Sequence, residues 1–208
     1  MFGALYVVPD FESYKANPQA YLASLDLPIK DELLAKPKGE PKKFEEFVDD
    51  IKNLRDRNYM VGRAAFTSAN CIGCHQFNGQ GQNFGPDLSK LVEERRTPEH
   101  ILRSILLPSE AIDENYESTK FLLETGDTVV GMITEEDENV IRVVVDPLLK
   151  DSVTEIDRDS IEESKRSELS PMPEGLVDNL SKEEILDLIA YIKSGGDPEN
   201  EIFTEHGH

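Results

Sequence analysis

Cys71-Ile72-Gly73-Cys74-His75 is the stretch whose reading decides the fold. It holds both cysteines of a 208-residue chain. Two cysteines cannot make a disulfide scaffold, so their value lies in their spacing. On the N-terminal side, Asn58 is placed to cap a helix over 59–69, with Gly62, Ala65 and Phe66 on one face. On the C-terminal side, residues 76–90 are rich in Gly, Asn and Gln and read as loop, with Gly85-Pro86 inside it. Pro98 then opens a helix through His100 to Leu107, closed by Pro108.

The pattern C-x-x-C-H is the attachment site of a c-type haem. Two thiols three residues apart can each add to one vinyl group on a porphyrin edge. The next residue then lies under the iron, where its imidazole becomes the proximal ligand. Zinc would need a second ligand pair, and His100, His206 and His208 are isolated or in the tail. A thioredoxin-like redox motif would need a βαβ context, and none follows. The expectation is therefore one covalent haem c with its iron, bound through Cys71, Cys74 and His75.

Further outward, residues 119–157 change character. Phe121–Thr125, Thr128–Thr134 and Val140–Asp146 are β-branched and apolar and read as a β-meander, with Val153–Ile156 as a further strand. Ser181 and Glu184 form a capping box for a final helix through Ile185, Leu188, Ile189 and Ile192, which stops at Gly195-Gly196. Near the start, Asn17-Pro18 opens a short helix and KPKGEPKK (36–43) is a linker. Phe44, Phe47, Val48, Ile51 and Leu54 make one stripe of an amphipathic helix. The apolar stretch Phe2–Val8 lacks a charged leader and an adequate core, so no signal peptide is expected within this chain. The expected organisation is a helical extension at 1–58, a haem domain at 59–195 with a β insertion at about 117–168, and a tail at 196–208.

With these residues in view, the chain resembles a class I cytochrome c. The matching features are Gly62 and Phe66 before Cys71, Gly85-Pro86 about ten residues after His75, a methionine between prolines, and a C-terminal helix bearing Tyr191. The resemblance implies that the first and last helices cross at Gly62, with Phe66 and Tyr191 packed at the crossing. It also implies that the Pro86 carbonyl accepts the second ring proton of His75. The runs Gly81-Gln82-Asn83-Phe84-Gly85-Pro86-Asp87-Leu88-Ser89, Ser104–Ser109 and Ser170-Pro171-Met172-Pro173 are similar to the haem-binding domain common in Planctomycetes and Verrucomicrobia. The fold expected is thus mainly α: a class I cytochrome c fold with an inserted antiparallel β-meander and an α-helical N-terminal extension.

The iron's other face has five candidates: Met60, Met132, Met172, His100 and water. Met60 sits on a helix face committed to packing, Met132 lies mid-strand beside Gly131, and His100 starts a helix where solvation is usual. Met172 sits in Ser-Pro-Met-Pro, where two prolines stiffen the backbone around a weak, neutral thioether ligand. The family resemblance places its methionine at this position, so His75 and Met172 are the expected metal ligands. Arg95, Arg96 and Arg103 are candidates to neutralise haem propionates, and equally are ordinary surface cations.

Charge sets the partners. The chain carries 42 acidic and 22 basic residues, net -20. Residues 111–208 hold 26 acids and 8 bases, while 61–110 are neutral. Nucleic acid and anionic membranes would be repelled, and no apolar run approaches the roughly 20 residues of a membrane span. The leading expectation is a periplasmic, monohaem electron carrier and not an enzyme, serving redox proteins with a basic docking surface, a dehydrogenase among them. The alternatives are a haem-based small-ligand sensor with an open sixth site, and a haem module docked onto a larger enzyme.

Overall fold

The computed structural model describes residues 39–147 and 153–203. The apolar start and the helix expected after Asn17-Pro18 lie outside the described residues, as do the first three residues of the linker (36–38) and the last residues of the tail (204–208). The described residues from Glu40 onward form one compact unit.

Four α-helices occur among the described residues: α1 (Val48–Ile51), α2 (Tyr59–Ser68), α3 (Pro98–Leu106) and α4 (Lys182–Lys193). Local chemistry starts each long one. The Asn58 side chain accepts from the Val61 N–H, and Thr97 accepts from His100 N–H with Pro98 at the first helical position. Ser181 and Glu184 close a complete capping box. The stripe from Phe44 to Leu54 does not make one helix. A 3₁₀ turn (Phe44–Glu46) and a single α-turn replace it, because Lys43 offers no capping oxygen and burial of Phe47 and Ile51 against the main core decides the path.

Helices α2 and α4 cross at Gly62. A Cβ there would overlap the Asp187 carbonyl and stand 2.9 Å from Tyr191 Cβ, so only glycine permits this approach. Phe66, Phe77 and Tyr191 cluster at the crossing with ring centroids 5.1–5.6 Å apart. Ile185, Leu188 and Ile189 of α4 and Leu102 of α3 complete this core, all fully buried.

The chain is not mainly α. A five-stranded antiparallel sheet stands beside the helices, in the order β6-β5-β4-β3-β7. Its strands are β3 (Thr119–Leu123), β4 (Thr128–Glu136), β5 (Val140–Val144), β6 (Val153–Asp157) and β7 (Ile161–Arg166). It has its own core of Phe121, Ile141, Val143 and Ile156. The mainly α expectation fails because the sheet is larger than the meander that apolar alternation shows. Strand β7 reads Ile-Glu-Glu-Ser-Lys-Arg, which carries no such alternation, and pairing with β3 creates it.

The sheet is curled. Only Arg158–Ser160, a 3₁₀ turn, carries the chain from β6 on one edge to β7 on the other. A flat five-stranded sheet separates its edges by about 19 Å, whereas four residue steps span at most about 14 Å. Thr119 pairs with Arg166, and the Ser167 N–H donates to the Ser118 carbonyl at 2.8 Å. The chain therefore leaves for the sheet and returns from it at adjacent points.

Residues 76–90 are not all loop. Gln76–Phe77 (β1) pairs with Gln80–Gly81 (β2) through an Asn78-Gly79 turn, both turn residues having positive φ.

Candidate functional site

Helix α2 ends at Ser68, and Asn70 in the left-handed conformation (φ 56°) redirects the chain into a 3₁₀ turn, Cys71–Gly73. The His75 N–H donates to the Cys71 carbonyl at 2.9 Å, closing the pentapeptide into one turn. Both cysteines are free thiols. Burial pushes the Cys71 thiol up to about 12, and burial with the nearby Asp146 carboxylate raises Cys74. Neither is therefore a thiolate at neutral pH, as a redox nucleophile would be. Among the described residues no group of three His, Cys, Asp or Glu is arranged to hold a metal ion.

The imidazole of His75 is oriented by the loop that follows it. Nδ1 lies 2.9 Å from the Pro86 carbonyl oxygen. A carbonyl can only accept, so Nδ1 carries the proton and Nε2 keeps its lone pair in the neutral ring. Burial pulls the ring's pKa below its ordinary value, against the raising effect of the Pro86 bond. Gly85 makes the close approach possible: a Cβ there would stand 2.5 Å from His75 Cε1 and 2.7 Å from Nδ1.

These residues open on a cavity of about 280 Å³. Cys71, Cys74, His75, Pro86 and Met172 all line it, although Met172 follows His75 by 97 residues in sequence. Its walls are largely aliphatic, with Ile101 and Ile105 of α3 and Ile192 of α4 among them. Pro171 and Pro173 flank Met172 on the lining, and the Met172 side chain packs on the helical core.

Of the other sixth-ligand candidates, the cavity leaves out the two methionines but not His100. Met60 is 51% exposed and, like Met132 in β4, is absent from the lining. His100 does line the cavity, with its pKa lowered by burial and then by Arg95. Of the three arginines, only Arg95 reaches the cavity, where it is ion-paired with Asp113. Arg96 is spent on the carbonyls of Ser89 and Leu91. Arg103 pairs with Glu99 and Glu110 and lies over the Phe44 ring.

Sequence reasoning missed Ile112, Asp113 and Tyr116, which join the lining from the stretch between α3 and β3, and Pro147, which follows β5. No local sequence signal marks them as lining residues. It also missed two serine bonds: Ser170 N–H donates to Ser109 Oγ, and Met172 N–H donates to Ser170 Oγ, both at 3.1 Å. The second has a sequence signature, a serine two residues before the donor.

The donor set fits a haem c. Two neutral thiols three residues apart, an imidazole with a free Nε2 and a thioether converge on one aliphatic slot.

Residues 60–127 match the model of the cytochrome c family. No curated protein matches the chain. The match supports a c-type cytochrome: a protein that binds haem c covalently, with its iron, and transfers electrons to and from redox partner proteins. Such domains are typically exported or periplasmic. Among the described residues, no helix is long and apolar enough to cross a membrane.

Proposed function

We propose that the chain is a monohaem c-type cytochrome that carries single electrons between periplasmic redox proteins, with His75 and Met172 as axial ligands. The observation that carries this reading is the pairing of His75, held by Pro86, with Met172 on one cavity. When bound, the haem iron supplies reversible one-electron exchange.

The chain's own residues do the rest. Cys71 and Cys74 would anchor the porphyrin through thioether bonds, and these 208 residues hold no further cysteine for a second haem. The Pro86 carbonyl orients the His75 ring and raises its donor strength. Aliphatic walls lower the local dielectric and exclude water. His/Met ligation raises the reduction potential relative to a bis-histidine site. If His75 and Met172 both held the iron, no position would be left on it for a substrate, and the chain would serve as a carrier rather than as an enzyme. The acidic surface from residue 111 onward favours partners with a basic face, such as a dehydrogenase. The Gly81–Ser89, Ser104–Ser109 and Ser170–Pro173 stretches support a likeness to the haem-binding domain common in Planctomycetes and Verrucomicrobia.

The test is optical. Oxidised holoprotein should show the weak long-wavelength band of a methionine–iron bond, and Met172→Ala should abolish it and let the reduced form bind CO. His100→Ala should leave the band in place. A band that survives Met172→Ala, or prompt CO binding by the parent, would overturn the ligand assignment.

A further inference from the structure

We infer that Ser109 and Ser170 are positioning residues for the Met172 thioether, because their hydroxyls stitch the methionine loop to the end of α3 at the base of the inserted sheet. The inference rests on Met172 being the sixth ligand.

The loop from Ser167 to Pro173 lies outside any described helix or strand, so side chains must fix it. Pro171 and Pro173 have no N–H, which leaves the Met172 N–H as the one backbone donor at the centre of Pro-Met-Pro. That donor goes to Ser170 Oγ at 3.1 Å, and the Ser170 N–H goes to Ser109 Oγ at 3.1 Å. Ser109 follows Pro108, which itself lines the cavity. The two serines are 61 residues apart in sequence, on either side of the whole sheet. At the sheet's root, buried Ser167 donates its N–H to the Ser118 carbonyl, and its hydroxyl accepts from the Leu169 N–H at 3.1 Å.

The methionine loop therefore hangs between two supports. On one side stands the β3–β7 pair, through Ser118 and Ser167; on the other stands α3, through Ser109. A thioether is a weak neutral ligand, so its residence on the iron depends on how often this loop detaches. Removing one neutral hydrogen bond raises the detached population about fivefold, with a range of roughly two- to tenfold. The two bonds act on one loop, so their effects should be coupled and not simply multiply.

The experiment uses the full-length oxidised holoprotein and imidazole as the probe, because imidazole binds iron only when the thioether has left. Apparent imidazole affinity should rise about fivefold in Ser109→Ala and in Ser170→Ala. Ser109→Thr keeps the hydroxyl and should return to the parent value. The urea midpoint of Ser109→Ala should stay near the parent's, which separates loop release from general loosening. Met172→Ala fixes the upper limit. If Met172→Ala binds imidazole no better than the parent, the ligand reading fails. If Met172→Ala binds far more tightly while Ser109→Ala and Ser170→Ala stay within the parent's error, the ligand reading stands and the positioning role is wrong. Should Ser170→Ala not fold, the Ser109 pair of variants decides the matter alone.

Discussion

Replacing Gly85 by alanine should damage the His75 site in a way that can be read twice. The added Cβ would stand 2.5 Å from His75 Cε1, 2.7 Å from Nδ1 and 3.2 Å from Nε2. Carbon contacts are comfortable from about 3.5 Å, so ring or loop must give by roughly 1 Å. The loop is tied on both sides: the Gly85 N–H donates to the Cys74 carbonyl at 2.9 Å, and Asp87 accepts from the Ser89 N–H. The ring therefore turns, and its 2.9 Å bond to Pro86 is lost. Overpacking costs about 1–3 kcal/mol and the lost hydrogen bond about 1 kcal/mol, a total of about 2–4 kcal/mol. The Pro86 bond makes His75 a stronger donor and so favours the more positive iron; its loss should raise the reduction potential. A differential of about 1 kcal/mol corresponds to roughly 40 mV for one electron. Urea unfolding of the holoprotein and a redox titration measure the two effects. Pro86→Ala is the control, since it keeps the accepting carbonyl and should move both readings less. A Gly85→Ala protein with the parent's urea midpoint and potential would refute the reasoning.

Three other outcomes follow from the same geometry. Gly62→Ala gains about 1 kcal/mol of helix propensity, yet should lower stability by about 2 kcal/mol because the Cβ meets the Asp187 backbone; a thermal midpoint lower by roughly 4–8 °C is expected, and a higher one would disprove the tight crossing. Burial holds the Asp187 carboxyl above its ordinary range, against the lowering effects of the Asn58 N–H and Arg57, so the folded state binds that proton more tightly than the unfolded chain. Its contribution to stability should therefore fall as pH rises from the ordinary carboxylate value, about 4, through the raised one. Asp187→Asn, which keeps an oxygen for the Asn58 N–H, should flatten that part of the urea-midpoint profile. Finally, the net charge of -20 should make electron exchange with a cationic reagent slow as salt rises, and with an anionic reagent quicken, most steeply below about 0.1 M. Stopped-flow rates that ignore salt would remove the electrostatic argument for basic partners.

Much of the helical half was legible because its signals are local. Asn58, Thr97-Pro98 and the Ser181/Glu184 box each satisfy orphan N–H groups within four residues, so the helix starts are written in short words. The stripe from Phe44 to Leu54 misled, since periodicity reports which residues face a core and not whether the backbone stays helical between them. Strand β7 was invisible for the opposite reason. Its residues are nearly all polar and exposed, and its pairing with β3 depends on a partner some forty residues away.

By itself, the sequence determined the C-x-x-C-H spacing on which the proposed attachment rests. Cys71, Cys74 and His75 belong to one pentapeptide, and adjacency is a covalent fact. It determined the charge in the same way. Only the tertiary structure decided the rest of the cavity. Met172 and His75 line one cavity because the curled sheet returns its chain to the point it left, with Ser167 on Ser118 and Ser170 on Ser109. Such closure joins groups tens of residues apart, and a bond of that reach leaves no mark on the residues beside it in the chain.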